Sequence, residues 1–167
     1  MLFAAVASQA FAASEPGASR VPLHWLWNES QTDSAYTVSA ERRDRLVRER
    51  GYVDMGPIGY VETQPARHSR PLVCLYAAAP RTDSYCTASL LEQRLARSLG
   101  FEEVGVEGFL PRERVPGTVV LYRMTRASGN VDKDREHRFV VSEAELVRLR
   151  KEGWAYDGSK GFIFSSP

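Results

Sequence analysis

The chain has 167 residues, of which 43% are hydrophobic and 26% are charged. This composition is typical of one globular domain and excludes a disordered chain or one built from membrane-spanning segments. With 22 basic against 21 acidic residues the net charge is +1, so no overall positive field is available to hold a nucleic acid.

The first 13 residues carry no charge and are rich in alanine. Small residues at alternate positions are typical of a signal-peptidase site after Ala12 or Ala13, so residues 1–13 are predicted to be the remnant of an export signal. A basic start is missing and the apolar run is short, which leaves a plain terminal tail as the alternative. Residues 14–20 are interpreted as a linker, and the mature protein is expected to be secreted or periplasmic.

Residues 21–167 repeat one pattern three times, with starts 49 residues apart. Each copy opens with an apolar run, continues with a glycine followed by an aromatic residue, and closes with two glycines before a second aromatic residue. The runs begin at Val21, Arg70 and Val119, the glycine–aromatic pairs are Gly51-Tyr52, Gly100-Phe101 and Gly153-Trp154, and the closing glycines are Gly56, Gly59, Gly105, Gly108, Gly158 and Gly161. Self-similarity at a fixed period predicts one domain of three repeats, at 21–69, 70–118 and 119–167.

Each repeat is predicted to contain two strands, one helix and two more strands. Ser39, Ser89 and Ser142 are suited to cap the helix N-termini, and Glu92 and Glu145 complete capping boxes in the second and third repeats. The glycine after each helix is expected in the left-handed conformation. The two closing glycines of each repeat are interpreted as a hairpin turn between its last two strands.

Three such units predict about twelve strands and three short helices, a mainly β (α+β) fold. Because no unit buries its apolar faces alone, the units are expected to close into a pseudo-threefold assembly like a β-trefoil, with a three-bladed toroid as the alternative. Closure would remove exposed sheet edges. Residues near 21–63, 70–112 and 119–165 are expected to superpose by rotations of about a third of a turn.

The anchors resemble a family of secreted short repeats of poorly defined function, whose unit reads roughly Pro-Leu-Tyr-Arg-x-Tyr-Asn, Asp-His-Phe-Tyr-Thr and Gly-Tyr-x-x-Glu-Gly-x-x-Gly-Tyr-Val. The residues that carry this resemblance include Pro22-Leu23, Asn28, Asp33, Tyr36-Thr37, Leu121-Tyr122-Arg123 and His137. The resemblance implies secretion and frequent attachment to hydrolases of cell-wall or polysaccharide material. The family's His-Phe pair is replaced by Ser34-Ala35 and Ser84-Tyr85 in the first two repeats, so the third repeat is expected to keep the best ligand site.

Cys74 lies in the first predicted strand of the second repeat and Cys86 in the second strand. If these strands form a hairpin, the two cysteines can pair, which would contribute roughly 2–4 kcal/mol in an oxidising compartment. Two buried free thiols are the alternative, because sequence gives neither distance nor orientation.

The sequence contains no convincing catalytic or metal-binding constellation. His24, His68 and His137 are its only histidines, and they do not form a paired zinc motif. No cofactor is expected. A glycosidase pair among Asp54, Glu103 and Asp157 remains a less favoured alternative, which would make the protein a hydrolase of envelope polymers.

Aromatic residues and polar groups cluster on the first and second strands of the repeats. Flat rings combined with fixed amide, carboxylate and guanidinium groups suit a sugar or peptide ligand. The candidate ligand-binding residues are Trp25, Trp27, Asn28, Asp33, Tyr85, Tyr122, Arg123 and His137. Aromatic residues on strands are also common in cores, so the sequence leaves open which of these rings are buried.

The sequence therefore predicts a secreted, monomeric, non-enzymatic module that binds carbohydrate or cell-envelope polymer. The alternative is a structural or protein-interaction module of the envelope, with an envelope protein as partner and decayed ligand sites. One good site is expected, around Tyr122, Arg123 and His137. On this hypothesis Arg123→Ala weakens polysaccharide retention without lowering the melting temperature.

Overall fold

The computed structural model describes residues 19–127 and 135–167. The described chain forms three units with the same order of strand, strand, helix and strand. The first unit contains β1 (Arg20–Asn28), β2 (Asp33–Thr37), α1 (Ala40–Arg50) and β3 (Val53–Glu62); the second contains β4 (Ser69–Ala77), β5 (Asp83–Thr87), α2 (Leu90–Ser98) and β6 (Glu102–Pro111); the third contains β7 (Thr118–Ala127), β8 (Arg135–Val140), α3 (Glu143–Lys151) and β9 (Ala155–Phe164). The predicted signal remnant at residues 1–13 lies outside the described residues, as does most of the predicted linker at 14–20.

The predicted hairpin turn inside each unit is wrong. Strand β3 runs through Gly56 and Gly59 without reversing, and β6 and β9 run through their closing glycines in the same way. Gly56 has a φ of +93°, and the pairing of β1 with β3 shifts register on either side of it. These glycines therefore mark β-bulges in one long strand, so each unit has three strands and not four.

Antiparallel pairing connects the strands within and between units. In each unit the first strand pairs with both the second and the third. Between units, β3 pairs with β6 at Glu62 and Phe109 and with β9 at Tyr60 and Phe164. The fold is thus mainly β with three short helices, as predicted, and its hydrogen-bonded sheet is open, with β5 and β8 at the ends of the longest path.

Equivalent residues of the three units build the central core. The leucines of the opening runs, Leu23, Leu72 and Leu121, are all 0% exposed. A hydrogen bond of 2.8 Å from the Phe139 backbone N–H to the Tyr36 hydroxyl, with the two ring centroids 4.8 Å apart, joins the third unit to the first. Each unit adds a satellite cluster around the aromatic residue that follows its helix, namely Tyr52, Phe101 or Trp154.

The helix ends agree with the sequence in two respects and differ in one. The side chains of Ser39, Ser89 and Ser142 accept hydrogen bonds at the helix N-termini, and the glycines after the helices have φ values of +72°, +88° and +88°. One half of the predicted capping box of α2 is present, because the Glu92 N–H donates to the Ser89 Oγ at 3.3 Å. The reciprocal bond is wrong, because the Ser89 N–H donates to the Thr87 Oγ1 at 3.1 Å. The Glu92 carboxylate points instead toward the neighbouring unit.

Cys74 and Cys86 face each other across β4 and β5 and form a disulfide, which confirms the predicted pair and excludes the free thiols. The bond lies in the central core, where both residues are at most 5% exposed. Within residues 19–127 and 135–167, none of the helices has the length and apolarity needed to cross a lipid bilayer.

Candidate functional site

The predicted ligand residues do not come together in one place. Arg123 is buried and lies in an ion cluster between the second and third units. Tyr85 and His137 line a pocket beside that cluster, whereas Trp25 and Trp27 line a different pocket. Tyr122 packs against the satellite core of the third unit, with its ring centroid 6.1 Å from that of Tyr156. The structure therefore brings Arg123 and His137 together around the Tyr85 ring and places Tyr122 in a different cluster.

The guanidinium of Arg123 connects two units. It donates to the Glu92 carboxylate at 2.9 Å and 3.1 Å and to Asp157 at 2.6 Å, and it lies 4.7 Å from the Tyr85 ring centroid. Lys160 also donates to Glu92 at 2.9 Å. Burial opposes ionisation of Glu92, but the hydrogen bond from the Thr87 hydroxyl and the charges of Arg123 and Lys160 outweigh it and lower its pKa to about 2.

The junction of the first and second units carries the reversed charge pair. Arg42 stands at the helix position equivalent to Glu92, and it donates to Glu107 at 2.7 Å. The Glu107 carboxylate, 5% exposed as a residue, also accepts from the Thr37 hydroxyl at 3.0 Å and the Val38 N–H at 2.7 Å. Glu107 and Lys160 occupy the same position between the closing glycines of their units. α1 and α2 thus each carry a charge opposite to the one that the next unit presents, which favours this order of the units.

Burial corrects the expectation of direct ligand contact for Asn28, Asp33 and Arg123, which are 1%, 0% and 3% exposed. The Asn28 amide donates to the Arg50 carbonyl at 2.7 Å and so holds the end of α1. Asp33 accepts hydrogen bonds from the Tyr52 hydroxyl and, at 2.9 Å, from the Ser84 N–H. Burial and the Asp33 charge raise the pKa of Tyr52, so this hydroxyl remains a donor at neutral pH.

Three cavities of similar size occupy equivalent junctions between units. Each contains the aromatic residue that follows the helix of one unit and at least one strand residue of the next unit. The junctions are those of units one and two, two and three, and three and one, so side chains of the last unit contact the first although the sheet is open.

The linings of these cavities have diverged. The arginine pocket, of about 360 Å³, is lined by Gln31, Arg42, Arg45, Leu46, Glu49, Arg50, Tyr52, Tyr76, Ser84 and Val104. The leucine pocket, of about 350 Å³, is lined by Arg81, Asp83, Tyr85, Glu92, Leu95, Ala96, Leu99, Phe101, Arg135 and His137. The tryptophan pocket, of about 320 Å³, is lined by Trp25, Trp27, Met55, Arg126, Arg138, Glu152 and Trp154.

The tryptophan pocket combines flat rings with guanidinium groups. The Arg138 Cζ lies 4.1 Å from the Trp25 ring centroid, and the Arg126 Cζ lies 4.6 Å from that of Trp154. Trp25 and Trp27 are half-buried, whereas Trp154 is 6% exposed and forms the floor. The stacked guanidinium groups hold the rings in place by cation–π contact and keep N–H donors beside them.

Both half-buried indoles already donate their N–H groups within the protein. Trp25 Nε1 donates to the Ser34 hydroxyl at 3.2 Å, and Trp27 Nε1 donates to Glu29 at 2.7 Å. A ligand in this pocket would therefore meet the indoles as apolar surfaces and would find its polar partners among the arginines and Glu152.

Sequence reasoning missed Trp154, Arg126 and Arg138 as site residues. The sequence does carry a signal for Trp154, because it is the third member of the repeated series Tyr52, Phe101 and Trp154. Its place beside Trp25 depends on contact between the last unit and the first, which no local pattern encodes.

The three carboxylates considered for catalysis come from three different units, and each is paired with a basic side chain. Asp54 accepts from His24 at 3.1 Å, Glu103 pairs with Arg97, and Asp157 pairs with Arg123. Burial slightly opposes ionisation of Asp54, but the Gly56 N–H, His24 and Arg43 lower its pKa, the opposite of what a general acid requires. Among residues 19–127 and 135–167, no group of three or more His, Cys, Asp or Glu side chains is placed to hold a metal ion.

Comparison with known proteins gives a family without an assigned function. The model of a family described as a domain of unknown function (DUF5648) matches residues 5–110 and, in a second overlapping match, residues 80–164. The chain therefore belongs to this family, and the two overlapping matches are in keeping with a repeated domain. No curated protein and no solved structure matches the chain significantly.

Proposed function

We propose that this member of the DUF5648 family is a non-enzymatic recognition module that binds carbohydrate or a cell-envelope polymer in the tryptophan pocket. One observation carries the proposal: the chain contains three tryptophans, and all three line this one pocket. Two come from β1 and the third directly precedes β9, so they converge only through the fold.

The lining suits a sugar ring. The C–H faces of a pyranose pack on indole surfaces, and a few placed polar groups fix its orientation. Arg126 presents N–H donors beside the Trp154 ring, and Arg138 stacks on Trp25 while its Nη2 donates to Glu145. Glu152, held by Arg148 at 2.6 Å, presents a carboxylate at the rim. Met55, 50% exposed, adds an apolar edge that a longer polymer would cover.

The same lining argues against hydrolysis. Glycosidases use two carboxyl groups that flank the scissile bond. Among the described residues that line the tryptophan pocket, Glu152 is the one carboxylate. Binding without cleavage is therefore the function that this chemistry supports best.

We further infer that the three units are related by a pseudo-threefold rotation, in the manner of a β-trefoil or a three-bladed toroid, and that the module acts as an exported monomer. The three equivalent leucines at the centre and the cyclic series of junctions support the rotation. The core disulfide supports an oxidising compartment, such as the periplasm or the exterior. The likeness to secreted short repeats supports a role in attaching hydrolases to cell wall or polysaccharide.

Because the three linings differ, one glycan site per chain is expected. A polymer should therefore gain no affinity by engaging several sites on the same chain. Intrinsic fluorescence reports on the site directly, since every tryptophan lies in it. The test is titration of the full chain with soluble glycans and a pulldown on purified peptidoglycan and polysaccharides.

Trp27→Ala is the test variant, and Tyr76→Ala, at the equivalent strand position of the second unit, is the matched control. Trp27→Ala is expected to weaken binding by about tenfold or more, as the loss of one stacked ring implies, whereas Tyr76→Ala should leave it unchanged. The absence of any glycan binding, or equal losses in both variants, would contradict the proposal.

A further inference from the structure

We propose that α2 and the leucine pocket form a docking surface for a segment of another protein, in which a bulky apolar side chain is flanked by carboxylates. This surface lies at the junction of units two and three, whereas the tryptophan pocket lies at the junction of units three and one. The two proposals are therefore independent.

The helix carries an exposed apolar stripe. Leu91, Leu95 and the C-cap residue Leu99 are 76%, 59% and 55% exposed, and their spacing of four residues places them along one side of α2 and its C-terminal end. Leu90, beside them, is 68% exposed. Single exposed apolar residues are ordinary on a protein surface, but a continuous stripe next to a pocket is typical of an interaction site.

The equivalent helices show that the stripe is a property of this unit and not of the repeat. Of the large hydrophobic residues in α1 and α3, Val47 and Val147 are the ones that are strongly exposed, at 40% and 50%. Stacking of the units does not require leucines at these positions, because two of the three helices manage without them.

The pocket beside the stripe has the shape of an anchor site. Leu95 and Leu99 form one wall, and the rings of Tyr85 and Phe101, with centroids 6.0 Å apart, form another. Its volume of about 350 Å³ admits one bulky side chain. Interfaces concentrate their binding energy in such buried anchors. A membrane surface is flat and would leave this concavity unfilled, so the shape favours a protein segment.

The charges around the pocket indicate which charges the partner carries beside its apolar anchor. Arg81 and Arg135 line it, and Arg81 is fixed by a 2.9 Å hydrogen bond from Nη1 to the Leu99 carbonyl. Of the two carboxylates in the lining, Glu92 is bound by Arg123 and Lys160, and Asp83 is 4% exposed.

An incoming ligand therefore meets guanidinium groups, which favour Asp or Glu beside the apolar anchor. A second copy of the chain would bring another basic rim against this one, which disfavours self-association through the surface.

The test uses the full chain and a fluorescent synthetic peptide with one tryptophan and two leucines at helical spacing, flanked by glutamates. Binding is measured by fluorescence anisotropy. The control peptide has lysines in place of the glutamates. The test variant is Leu95→Glu, and the matched control is Val147→Glu, on another helix at similar exposure. Because both side chains are largely exposed, both variants are expected to fold, and circular dichroism checks this.

The glutamate peptide should bind about tenfold more tightly than the lysine peptide, and Leu95→Glu should weaken it by about tenfold or more, while Val147→Glu changes it by less than about twofold. Three results would overturn the proposal: the absence of saturable binding up to roughly 1 mM, equal affinity for both peptides, or unchanged affinity of the Leu95→Glu variant. Two further measurements test other occupants: light scattering detects a dimer, and sedimentation with anionic vesicles detects lipid binding. A dimer that Leu95→Glu dissociates, or vesicle binding that it abolishes, would assign the surface to a second copy or to lipid and would equally overturn it.

Discussion

Replacing Arg123 by alanine is expected to destabilise the fold, which reverses the prediction made from the sequence. The side chain is 4% exposed and donates to Glu92 on one unit and to Asp157 on its own unit. Its removal leaves two carboxylates near each other without their main cation. Removing one member of a buried ion pair costs roughly 3–5 kcal/mol.

Two features of the cluster reduce this cost. Lys160 remains 2.9 Å from Glu92 and 3.7 Å from Asp157, and these carboxylates are 27% and 36% exposed, so water screens part of the repulsion. We therefore expect a loss of about 2–4 kcal/mol in the free energy of unfolding. For a domain of this size the melting temperature should fall by roughly 4–16 °C.

The assay is urea unfolding at neutral pH followed by circular dichroism, together with a thermal scan. The matched control is Arg97→Ala, because Arg97 is also ion-paired, with Glu103, but the two side chains are 44% and 41% exposed. That variant should lose at most about 1 kcal/mol. If the unfolding midpoint of Arg123→Ala falls no further than that of Arg97→Ala, the reasoning that this cluster joins the units is refuted.

As the pH falls from about 4.5 to about 2, the free energy of unfolding should decrease, because Glu92 has a lowered pKa of about 2 in the fold and an ordinary one near 4.5 when unfolded. Glu92→Gln should flatten this part of the profile of unfolding free energy against pH. If the variant and the unmodified protein gave parallel profiles, the assignment to Glu92 would be contradicted. Gly108→Ala should cost more than about 1–2 kcal/mol, since φ is +111° and the new Cβ would lie 2.4 Å from a methyl carbon of Val61. Gly100→Ala, with φ +88° and open space, isolates the backbone strain and should cost less; equal losses would contradict the steric part. Reduction of the single disulfide should lower stability by roughly 2–4 kcal/mol, and an unchanged urea midpoint after both thiols become titratable would speak against this.

Much of the local structure follows from the sequence because it depends on neighbouring residues. A serine before an apolar helical run caps a helix whatever lies elsewhere in the chain, and the predicted caps at Ser39, Ser89 and Ser142 are confirmed. A glycine after the helix takes the left-handed conformation for the same local reason. The pairing of Cys74 with Cys86 needed only that two adjacent strands form a hairpin.

The closing glycines show where local reasoning misleads. Two glycines three residues apart between apolar runs are typical of a turn, but here they produce bulges in one continuous strand. A tight hairpin turn and a glycine bulge both favour a glycine at positive φ, so the two outcomes look alike in sequence. The difference depends on the partner strand, since β1 is long enough to pair with all of β3.

The sequence by itself thus determined the repeat, the three short helices and their serine caps, because the helices and caps depend on residues that are close along the chain. Only the tertiary structure decided that Arg123 is buried and that Trp154 lies beside Trp25 and Trp27. Both outcomes depend on which faces of different units meet, and that is set by packing between residues far apart in sequence. The three units share one apolar pattern but differ in polar and aromatic residues. The role of each differing residue depends on which neighbouring unit it contacts.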